Sequence, residues 1–304
     1  MPLDILVTGA AGFIGRHVAR AAGRAGNIVR GLGHGTWSQA EWREWGLADW
    51  HAADVTVDTL VSFAGEPDLI VHCAGSGSVA FSMAHPAQDF DRSVATMREV
   101  LEYARLHRPG ARVVLPSSAS VYGNVSALPI PVGAPLWPAS PYGVHKRIAE
   151  NLCQSYAAHF GVPTAIVRLF SVYGVGLRKQ LLWDACTKLE HKIAEFGGTG
   201  DETRDWLHAD DAATLLLVAG AAASPSCPIV NGATGTGVPT RQIIGALASG
   251  FDDATFHFSG LSRPGDPPHF VAEMNEAHAM GWRPERRLDE ELQRYVRWYC
   301  AGAQ

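Results

Sequence analysis

The stretch that decides the fold is LDILV at residues 3–7 followed by TGAAGFIG at residues 8–15. The first part predicts a short apolar strand, and the second predicts a glycine turn leading into a helix over residues 12–25. Glycine at positions 9, 12 and 15 permits a tight turn, a close approach of the backbone to a pyrophosphate, and close packing of the helix on the sheet. The helix N-terminus offers free N–H groups to phosphates. The stretch therefore predicts a dinucleotide-binding turn, although its GxxGxxG spacing differs from the plain GxGxxG fingerprint.

The composition is that of a globular chain with a large core. The 304 residues are 47% apolar, which is enough for one large domain and a smaller lobe. A formal charge of −5 provides no basic field, so nucleic acid is excluded as a partner. The most apolar run, at 212–223, is too short to cross a bilayer, and the first residues lack the pattern of a leader. We therefore expect no membrane association and a cytoplasmic location.

Cysteine and histidine spacing argues against a metal site. Five cysteines are scattered at positions 73, 153, 186, 227 and 300 without a CxxC pair, and none of the 13 histidines falls in an HExxH motif. The cysteines are expected to be reduced packing residues, and no metal is expected.

Short apolar runs alternate with helical periodicity along the chain. Strands are expected at 27–32, just before Asp54, at 68–73 and at 111–115, with helices at 84–107 and from 141 to about 160. This alternation predicts a Rossmann-like, doubly wound parallel α/β sheet. The sheet would occupy residues 1–170, with 204–231 packing back onto it. A smaller C-terminal α/β substrate lobe would comprise residues 171–203 and 232–304.

The end of the second strand bears on the choice of dinucleotide. In doubly wound sheets a carboxylate at this point accepts a hydrogen bond from the adenosine ribose, whereas NADP sites lack the acid. Here the strand ends in Gly33, His34 and Gly35. The missing acid favours NADP(H), with His34 as a contact to the 2′-phosphate, and NAD(H) stays open. A solvated loop histidine is the alternative.

The candidate catalytic residues follow the fifth strand. SSASVYG at 117–123 stands at the carboxyl end of that strand, where open α/β sheets place their chemistry. SPYGVHK at 140–146 then places Tyr142 and Lys146 four residues apart, on one face of a helix. A phenol has a pKa near 10, and a nearby ammonium group and an oxidised nicotinamide both favour phenolate. Such a pair suits hydride chemistry at a sugar or alcohol carbon.

Taken together, these motifs resemble the extended short-chain dehydrogenases/reductases, in particular the NAD-dependent epimerase/dehydratase branch that acts on nucleotide sugars. The matching stretches are TGAAGFIG at 8–15, Asp54-Val55, HCAG at 72–75, SSASVYG at 117–123, SPYGVHK at 140–146, RLFSVYG at 168–174 and RDWLHADD at 204–211. The order of the motifs along the chain is that of the family.

The resemblance implies a role for each matching residue. Tyr142 would be the general acid/base, Lys146 would hold the nicotinamide ribose and depress the pKa of Tyr142, and Ser118, assisted by Ser120, would bond the reacting oxygen. The cofactor contacts implied, besides Tyr142 and Lys146, are Gly9, Ala11, Gly12, Phe13, Ile14, Gly15, His34, Asp54, Val55, Cys73, Ala74, Gly75, Ser93 and Leu169. The substrate contacts implied, besides Ser118, Ser120 and Tyr142, are Ser76, Ser171, Lys179, Arg204 and Arg263.

Arginine suits a substrate diphosphate because its planar fork pairs with two oxygens. An ion pair between Arg204 and Asp205 is the alternative for that residue, and a solvated helix start is the alternative for Lys179. Three positions depart from the family pattern: Ser171 and Ser93 replace asparagine, and Val175 replaces proline. Asp210 and Asp211 are most simply charges at a helix N-terminus.

Dehydration needs an acid and a base just before the VYG step, and Ala119-Ser120 supplies neither, so a dehydratase is excluded. Three other functions fit these residues. We expect an NADPH-dependent reductase of a nucleotide-linked 4-keto-(6-deoxy) sugar, because of the missing acid at Gly33. An NAD-dependent 4-epimerase is the alternative, and a non-catalytic dinucleotide sensor is a third function. The resemblance also implies a homodimer paired through the helices at 84–107 and 142–160.

Overall fold

Parallel strands form the central sheet of the computed structural model, which describes residues 1–192, 195–261 and 268–302. The strands are β1 (Asp4–Thr8), β2 (Ile28–Gly33), β3 (Asp49–Ala52), β4 (Leu69–His72), β5 (Arg112–Ser118), β6 (Thr164–Leu169), β7 (Ser171–Tyr173), β8 (Glu195–Phe196), β9 (Thr203–His208), β10 (Ile229–Gly232), β11 (Gly237–Pro239), β12 (His257–Phe258) and β13 (His269–Phe270). Seven of them form the sheet in the order β10-β6-β5-β4-β1-β2-β3, with every pairing parallel. The predicted Rossmann-like α/β fold is confirmed.

Helices cover both faces of this sheet. They are α1 (Phe13–Arg24), α2 (Gln39–Glu44), α3 (Val57–Phe63), α4 (Val79–Ala84), α5 (Pro86–Phe90), α6 (Thr96–Leu106), α7 (Pro141–Phe160), α8 (Gln180–Glu190), α9 (Ala209–Ala222), α10 (Thr240–Ala248), α11 (Asn275–Ala279) and α12 (Leu288–Cys300). One apolar core joins α1 and α9 to the sheet through residues such as Val18 and Leu215. A second core joins α6 and α7 to the opposite face through Leu101 and Ala149. The two-faced covering is what a parallel sheet requires.

The predicted helix at 84–107 is divided into three segments. α5 is followed by a π-helical turn at Asp91–Ala95, which continues into α6. The helix begins after His85, which lies outside the helical region because the residue before a proline is disfavoured in helical conformation. Pro86 then occupies the first turn of α5, where its missing N–H is not needed. The predicted helix is therefore confirmed from residue 86 to residue 106, with a π-helical turn inside it. The helix predicted from 141 to about 160 is confirmed as α7.

The C-terminal part of the chain builds a second layer. β9 pairs with β7, β11 and β13, and α8, α10 and α12 share a core that contains Leu182, Ile244 and Tyr295. Between these parts the chain returns to the main sheet, where β10 pairs with β6 and α9 packs on α1. The return places the carboxyl end of β6 and the strands around β9 next to each other.

Asp210 connects three parts of the chain, which is more than a charge at a helix start. Its carboxylate accepts hydrogen bonds from His17 at 2.7 Å and from Arg20 at 2.7 Å, both on α1, and from Arg286 at 3.0 Å. Asp211 accepts the backbone N–H groups of residues 285 and 286. The expectation that both are charges at a helix N-terminus is confirmed, because both lie in the first turn of α9. Their partners in addition come from segments far away in sequence.

Among the described residues, none of the helices combines the length and hydrophobicity that a bilayer crossing needs. Within the same ranges, no three His, Cys, Asp or Glu side chains are grouped so that they would hold a metal ion.

Candidate active site

The glycine turn between β1 and α1 has the geometry of a phosphate cradle. Gly9 has a φ of +68°, and a Cβ there would lie 2.5 Å from the backbone nitrogen of Ala74. A Cβ on Gly15 would lie 2.2 Å from the carbonyl oxygen of Gly9. Gly12 caps α1 and offers no side chain to its first N–H groups. Only glycine fits positions 9 and 15, and the first turn of α1 is open to an anion, so the residues fit the pyrophosphate of a dinucleotide.

A cleft of about 960 Å³ runs from this turn to the second layer. It lies at the carboxyl ends of β1, β4, β5 and β6, where doubly wound sheets bind ligands. The predicted site residues that line it are Gly12, Phe13, Ile14, Gly15, Cys73, Gly75, Ser76, Ser118, Ser120, Tyr142, Lys146, Leu169, Ser171, Lys179 and Arg204. The predicted site residues that lie outside its lining are Gly9, Ala11, His34, Asp54, Val55, Ala74 and Ser93. Arg263 lies outside the described residues.

The start of α7 brings Tyr142 to Ser118. The Ser140 hydroxyl caps the helix by accepting the Gly143 N–H at 3.2 Å. Gly143 then packs directly on the turn after β5, because a Cβ there would lie 2.7 Å from the carbonyl oxygen of Ser120. The phenol of Tyr142 hydrogen-bonds to the hydroxyl of Ser118 as a result. Two of the predicted catalytic residues are in direct contact.

Burial and a hydrogen bond act on the ionisation of Tyr142. Burial raises the pKa of Tyr142 above its ordinary value, and the hydrogen bond to Ser118 opposes this by lowering it. The Nζ atom of Lys146 lies 5.9 Å from the phenol ring and donates to the carbonyl oxygen of Pro116 at 3.0 Å. Burial also lowers the pKa of Lys146. Burial is thus the largest influence on the pKa of Tyr142 in the protein without cofactor. The expected depression of that pKa by Lys146 stays a prediction.

Ser120 presents a hydroxyl suited to a ligand. Its backbone N–H donates to the Ser118 oxygen at 3.2 Å, but its own buried hydroxyl oxygen has no hydrogen-bond partner within the part of the chain that the structure describes. Buried polar atoms in proteins are almost always paired. The oxygen belongs to a residue of the cleft wall.

The second layer supplies basic groups to the far end of the cleft. Lys179 lines it, and its Nζ lies 3.7 Å from where a Cβ on Gly77 would stand. Arg204 lines it as well and donates to the carbonyl oxygen of Thr203 at 2.9 Å. The neighbouring Asp205 accepts the backbone N–H and hydroxyl of Thr234, each at 2.7 Å. Lys179 and Arg204 thus bring two cationic side chains to the cleft wall.

Ser93 acts behind the cleft and not within it. Its hydroxyl accepts the N–H of Ser76 at 3.3 Å and so holds the loop after β4. Sequence reasoning missed cleft residues on α4, α8 and β13, namely Val79, Met83, Asp184 and Phe270. The exposure of Val79 and Met83, four residues apart on α4, is visible only in the folded chain.

A carboxylate lies beside the end of β2. The Nε2 atom of His34 lies 2.8 Å from the Oδ1 atom of Asp54, which follows β3. The residues that end β2 carry no acid themselves, as the sequence indicates, and the carboxylate beside His34 comes from the residues after β3. The preference for NADP(H) stays a prediction.

Comparison with known proteins agrees with this geometry. The model of the NAD dependent epimerase/dehydratase family matches residues 5–231. A putative UDP-glucose 4-epimerase of Methanocaldococcus jannaschii is 27% identical, over 97% of each chain. The UDP-glucose 4-epimerase of Azospirillum brasilense is 28% identical, over 97% of this chain and 91% of that one.

Among solved structures, MoeE5 in complex with UDP-glucuronic acid and NAD has the same fold. The TM-score is 0.85 at 24% identity, over 98% of this chain and 99% of that one. The glycine turn, the Ser118–Tyr142 contact and the match over most of the chain lead to one conclusion. The chain belongs to the NAD dependent epimerase/dehydratase family, within the extended short-chain dehydrogenases/reductases.

Proposed function

We propose that this chain is an NAD-dependent 4-epimerase of nucleoside-diphosphate sugars. The observation that carries the proposal is the hydrogen-bonded pair of Ser118 and Tyr142 in a cleft that begins at the glycine turn. Two similar relatives that span nearly the whole chain are a UDP-glucose 4-epimerase and a putative one. UDP-hexoses are therefore the first substrates to test.

Each residue of the site would have its own role in the reaction. Tyr142 as phenolate accepts the proton of the sugar C4 hydroxyl, and returns a proton to the C4 oxygen after the keto sugar has turned over. Bound NAD supplies the hydride acceptor for the first half and the hydride donor for the second. Ser118 orients the C4 oxygen, and the unpaired hydroxyl of Ser120 pairs with a neighbouring sugar hydroxyl. Lys179 and Arg204 would contact the diphosphate.

The sequence favoured a reductase because of the missing acid at Gly33. The carboxylate of Asp54 lies beside His34 at that edge of the sheet, which weakens the argument. The relatives favour the 4-epimerase, the alternative from the sequence. Net reduction would also require exchangeable NADPH, whereas an epimerase restores its own cofactor in each turnover.

The test is interconversion of UDP-glucose and UDP-galactose without added reduced cofactor, followed by NMR of the anomeric protons. We expect both sugars to reach the same final ratio, and NAD to be recovered from the denatured protein. Absence of interconversion, together with NADPH oxidation on a 4-keto-6-deoxy nucleotide sugar, would contradict the proposal and restore the reductase. Other UDP-hexoses serve as further substrates if these two are inert.

A homodimer is part of the proposal. Large apolar side chains are exposed along α5, α6 and α7, namely Phe90, Leu106, Val144 and Phe160. Exposed apolar side chains on adjacent helices are typical of an interface. Light scattering after gel filtration is expected to give twice the chain mass. Val144→Glu is expected to weaken the dimer, whereas Ile28→Glu, at an exposed residue at the start of β2, is not.

The cytoplasmic location stays a prediction.

A further inference from the structure

A buried carboxylate and imidazole pair lies beside the start of α7. The Nδ1 atom of His145 on α7 is 2.5 Å from the Oδ2 atom of Asp89 on α5, and these side chains are 11% and 0% exposed. We propose that Asp89, held by this imidazole, is a positioning residue whose charge controls the protonation of Tyr142 and Lys146. The inference rests on the proposed function, because it concerns the acid/base residue of that reaction.

Helical spacing brings this pair next to the reactive groups. His145 follows Tyr142 by three residues, and residues three apart are neighbours on a helix surface. It directly precedes Lys146. The same part of α7 is fixed by α4, because the N–H of Tyr142 donates to the buried hydroxyl of Ser82 at 3.0 Å. Asp89, which contacts His145, therefore lies beside the turn of α7 that carries both reactive side chains.

The charge of Asp89 is incompletely compensated. A carboxylate accepts and does not donate hydrogen bonds, so its Oδ2 atom accepts the N–H of His145. Its Oδ1 atom is buried and has no hydrogen-bond partner among the residues that the structure describes, and none of their arginines or lysines forms an ion pair with it. Glu150, the buried carboxylate one turn after Lys146, differs because Arg168 pairs with it at 2.8 Å. The charge of Asp89 can therefore act on groups that it does not touch.

Three influences act on the pKa of Tyr142. Burial is the largest and raises it, the hydrogen bond with Ser118 on β5 lowers it, and the charge of Asp89 raises it. The Nζ atom of Lys146, one turn further along α7, lies 5.9 Å from the centre of the phenol ring. A negative charge near a phenol disfavours the phenolate, so Asp89 keeps Tyr142 protonated.

Asp89 acts on Lys146 in the same direction. Burial is the largest influence on the pKa of Lys146 and lowers it. The groups that raise this pKa are, from the largest, Cys73 on β4, Asp89 on α5, and Glu150 and Cys153 on α7. On β4, burial and in addition the charge of Lys146 lower the pKa of His72. Because a negative charge favours an ammonium group, Asp89 helps to keep Lys146 charged.

Removal of the Asp89 charge is therefore expected to lower the pKa of both reactive groups. The test is the pH–rate profile of UDP-glucose epimerisation. Asp89→Asn keeps the shape of the side chain and an oxygen that accepts from the imidazole. We expect its rising limb, which reports the phenol, and its falling limb, which reports the ammonium group, both to move to lower pH by about 0.5–1 unit. Asp89→Ser removes the same charge with a smaller side chain and is expected to give a displacement of the same sign.

Three further variants separate the charge from the contact. His145→Asn keeps the carboxylate and an amide that donates to it, and is expected to move neither limb to lower pH. Asp91→Asn removes a charge two residues later, at an exposed position, and is expected to leave both limbs in place. His17→Asn alters a similar contact of 2.7 Å with Asp210, between α1 and α9, and is expected to lower the melting temperature without moving the limbs.

The results that would overturn the inference follow from these variants. Limbs that stay in place or move to higher pH in Asp89→Asn would do so. Equal displacement in Asp89→Asn and Asp91→Asn would show that any lost charge has the effect. A move to lower pH in His145→Asn as well would show that the broken contact, and not the charge, is the cause.

A second measurement does not depend on turnover. Protein labelled with ¹³C at the ζ carbon of tyrosine reports phenol ionisation by NMR, and the signal of Tyr142 is the one that Tyr142→Phe lacks. We expect this signal to titrate at lower pH in Asp89→Asn and at the wild-type pH in Asp91→Asn. A wild type that shows this difference but interconverts no sugar would contradict the proposed function alone. An active wild type whose signal does not respond to Asp89→Asn would contradict only this inference.

Discussion

At the scale of single residues, the reactivity of Tyr142 depends on its surroundings more than on its own side chain. Burial holds the phenol protonated, and the Ser118 hydroxyl is the described neighbour that favours its ionisation. An oxidised nicotinamide would add a positive charge that acts in the same direction. The proton that leaves the sugar can therefore be accepted only when the site is assembled.

Tyr142→Phe removes the acid/base group without changing the shape of the cleft. We expect the epimerase rate to fall by about 10²- to 10⁴-fold while NAD is still retained. The measurement is initial-rate kinetics with UDP-glucose together with release of bound nucleotide. Tyr156→Phe, on the same helix with its hydroxyl paired to Glu102, is the matched control and is expected to keep the rate. An unchanged rate in the Tyr142 variant would support the alternative function as a non-catalytic dinucleotide sensor.

Ser118→Ala tests the influence of the hydroxyl on the phenol. Loss of the hydrogen bond raises the pKa of Tyr142 further, so less phenolate is present at a given pH. We expect the alkaline-rising limb of the pH–rate profile to move to higher pH. Ser120→Ala removes a neighbouring hydroxyl that the phenol does not contact and is expected to lower the rate without moving that limb. If the limb moved equally in the Ser118 and Ser120 variants, the Ser118 hydroxyl would not be the group that lowers the pKa of Tyr142.

At the scale of elements, the start of α7 positions the site. Tyr142 and Lys146 share a face because of helical periodicity, which is local in sequence. Their approach to Ser118 depends on Gly143, which lets the helix contact the turn after β5. The motif is therefore a packing requirement as well as a set of reactive groups.

Gly143→Ala is expected to lower both the melting temperature and the activity. The new Cβ would meet the Ser120 carbonyl oxygen at 2.7 Å and push α7 away from the turn. Gly245→Ala is the matched control, because that glycine lies inside α10 and a Cβ there would meet only Phe256 at 3.8 Å. The control is expected to stabilise the protein by about 0.5–1 kcal/mol, as alanine does inside helices. Thermal unfolding and initial rates are measured on both variants. Equal melting temperatures and rates in the two variants would contradict the requirement for glycine at position 143.

At the scale of the whole molecule, buried histidines link the parts of the chain. His72 pairs with Thr8 between β1 and β4 at 2.7 Å. His208 lies between α1 and the C-terminal segment, 3.6 Å from Glu291. Burial lowers the pKa of His72 to about 3 and that of His208 to about 4. Both are neutral in the folded protein at neutral pH.

The free energy of unfolding is therefore expected to fall as the pH falls below about 6.5. In this range His72 and His208 bind protons in the unfolded chain but stay neutral in the folded chain. The loss amounts to about 2 kcal/mol for each of these histidines at pH 5, and it levels off near the folded pKa values. Urea unfolding at pH 7.5 and pH 5 measures it. His208→Gln is expected to be less stable at pH 7.5 but to show a smaller difference between the two pH values. An equal difference in both proteins would show that His208 does not contribute.

The sequence by itself determined the family, the central fold, the extent of α7 and the order of the motifs. These follow from the spacing of apolar residues, from glycines in tight turns and from helix caps, all of which act between near neighbours in the chain. Only the tertiary structure placed Asp54 beside His34, joined Asp210 to α1, and showed the π-helical turn at 91–95 inside the predicted helix. It also made the cleft from two layers and raised the pKa of Tyr142. The reason is that contacts across a sheet depend on strand order and register, and a pKa depends on how much water the assembled fold removes from the group.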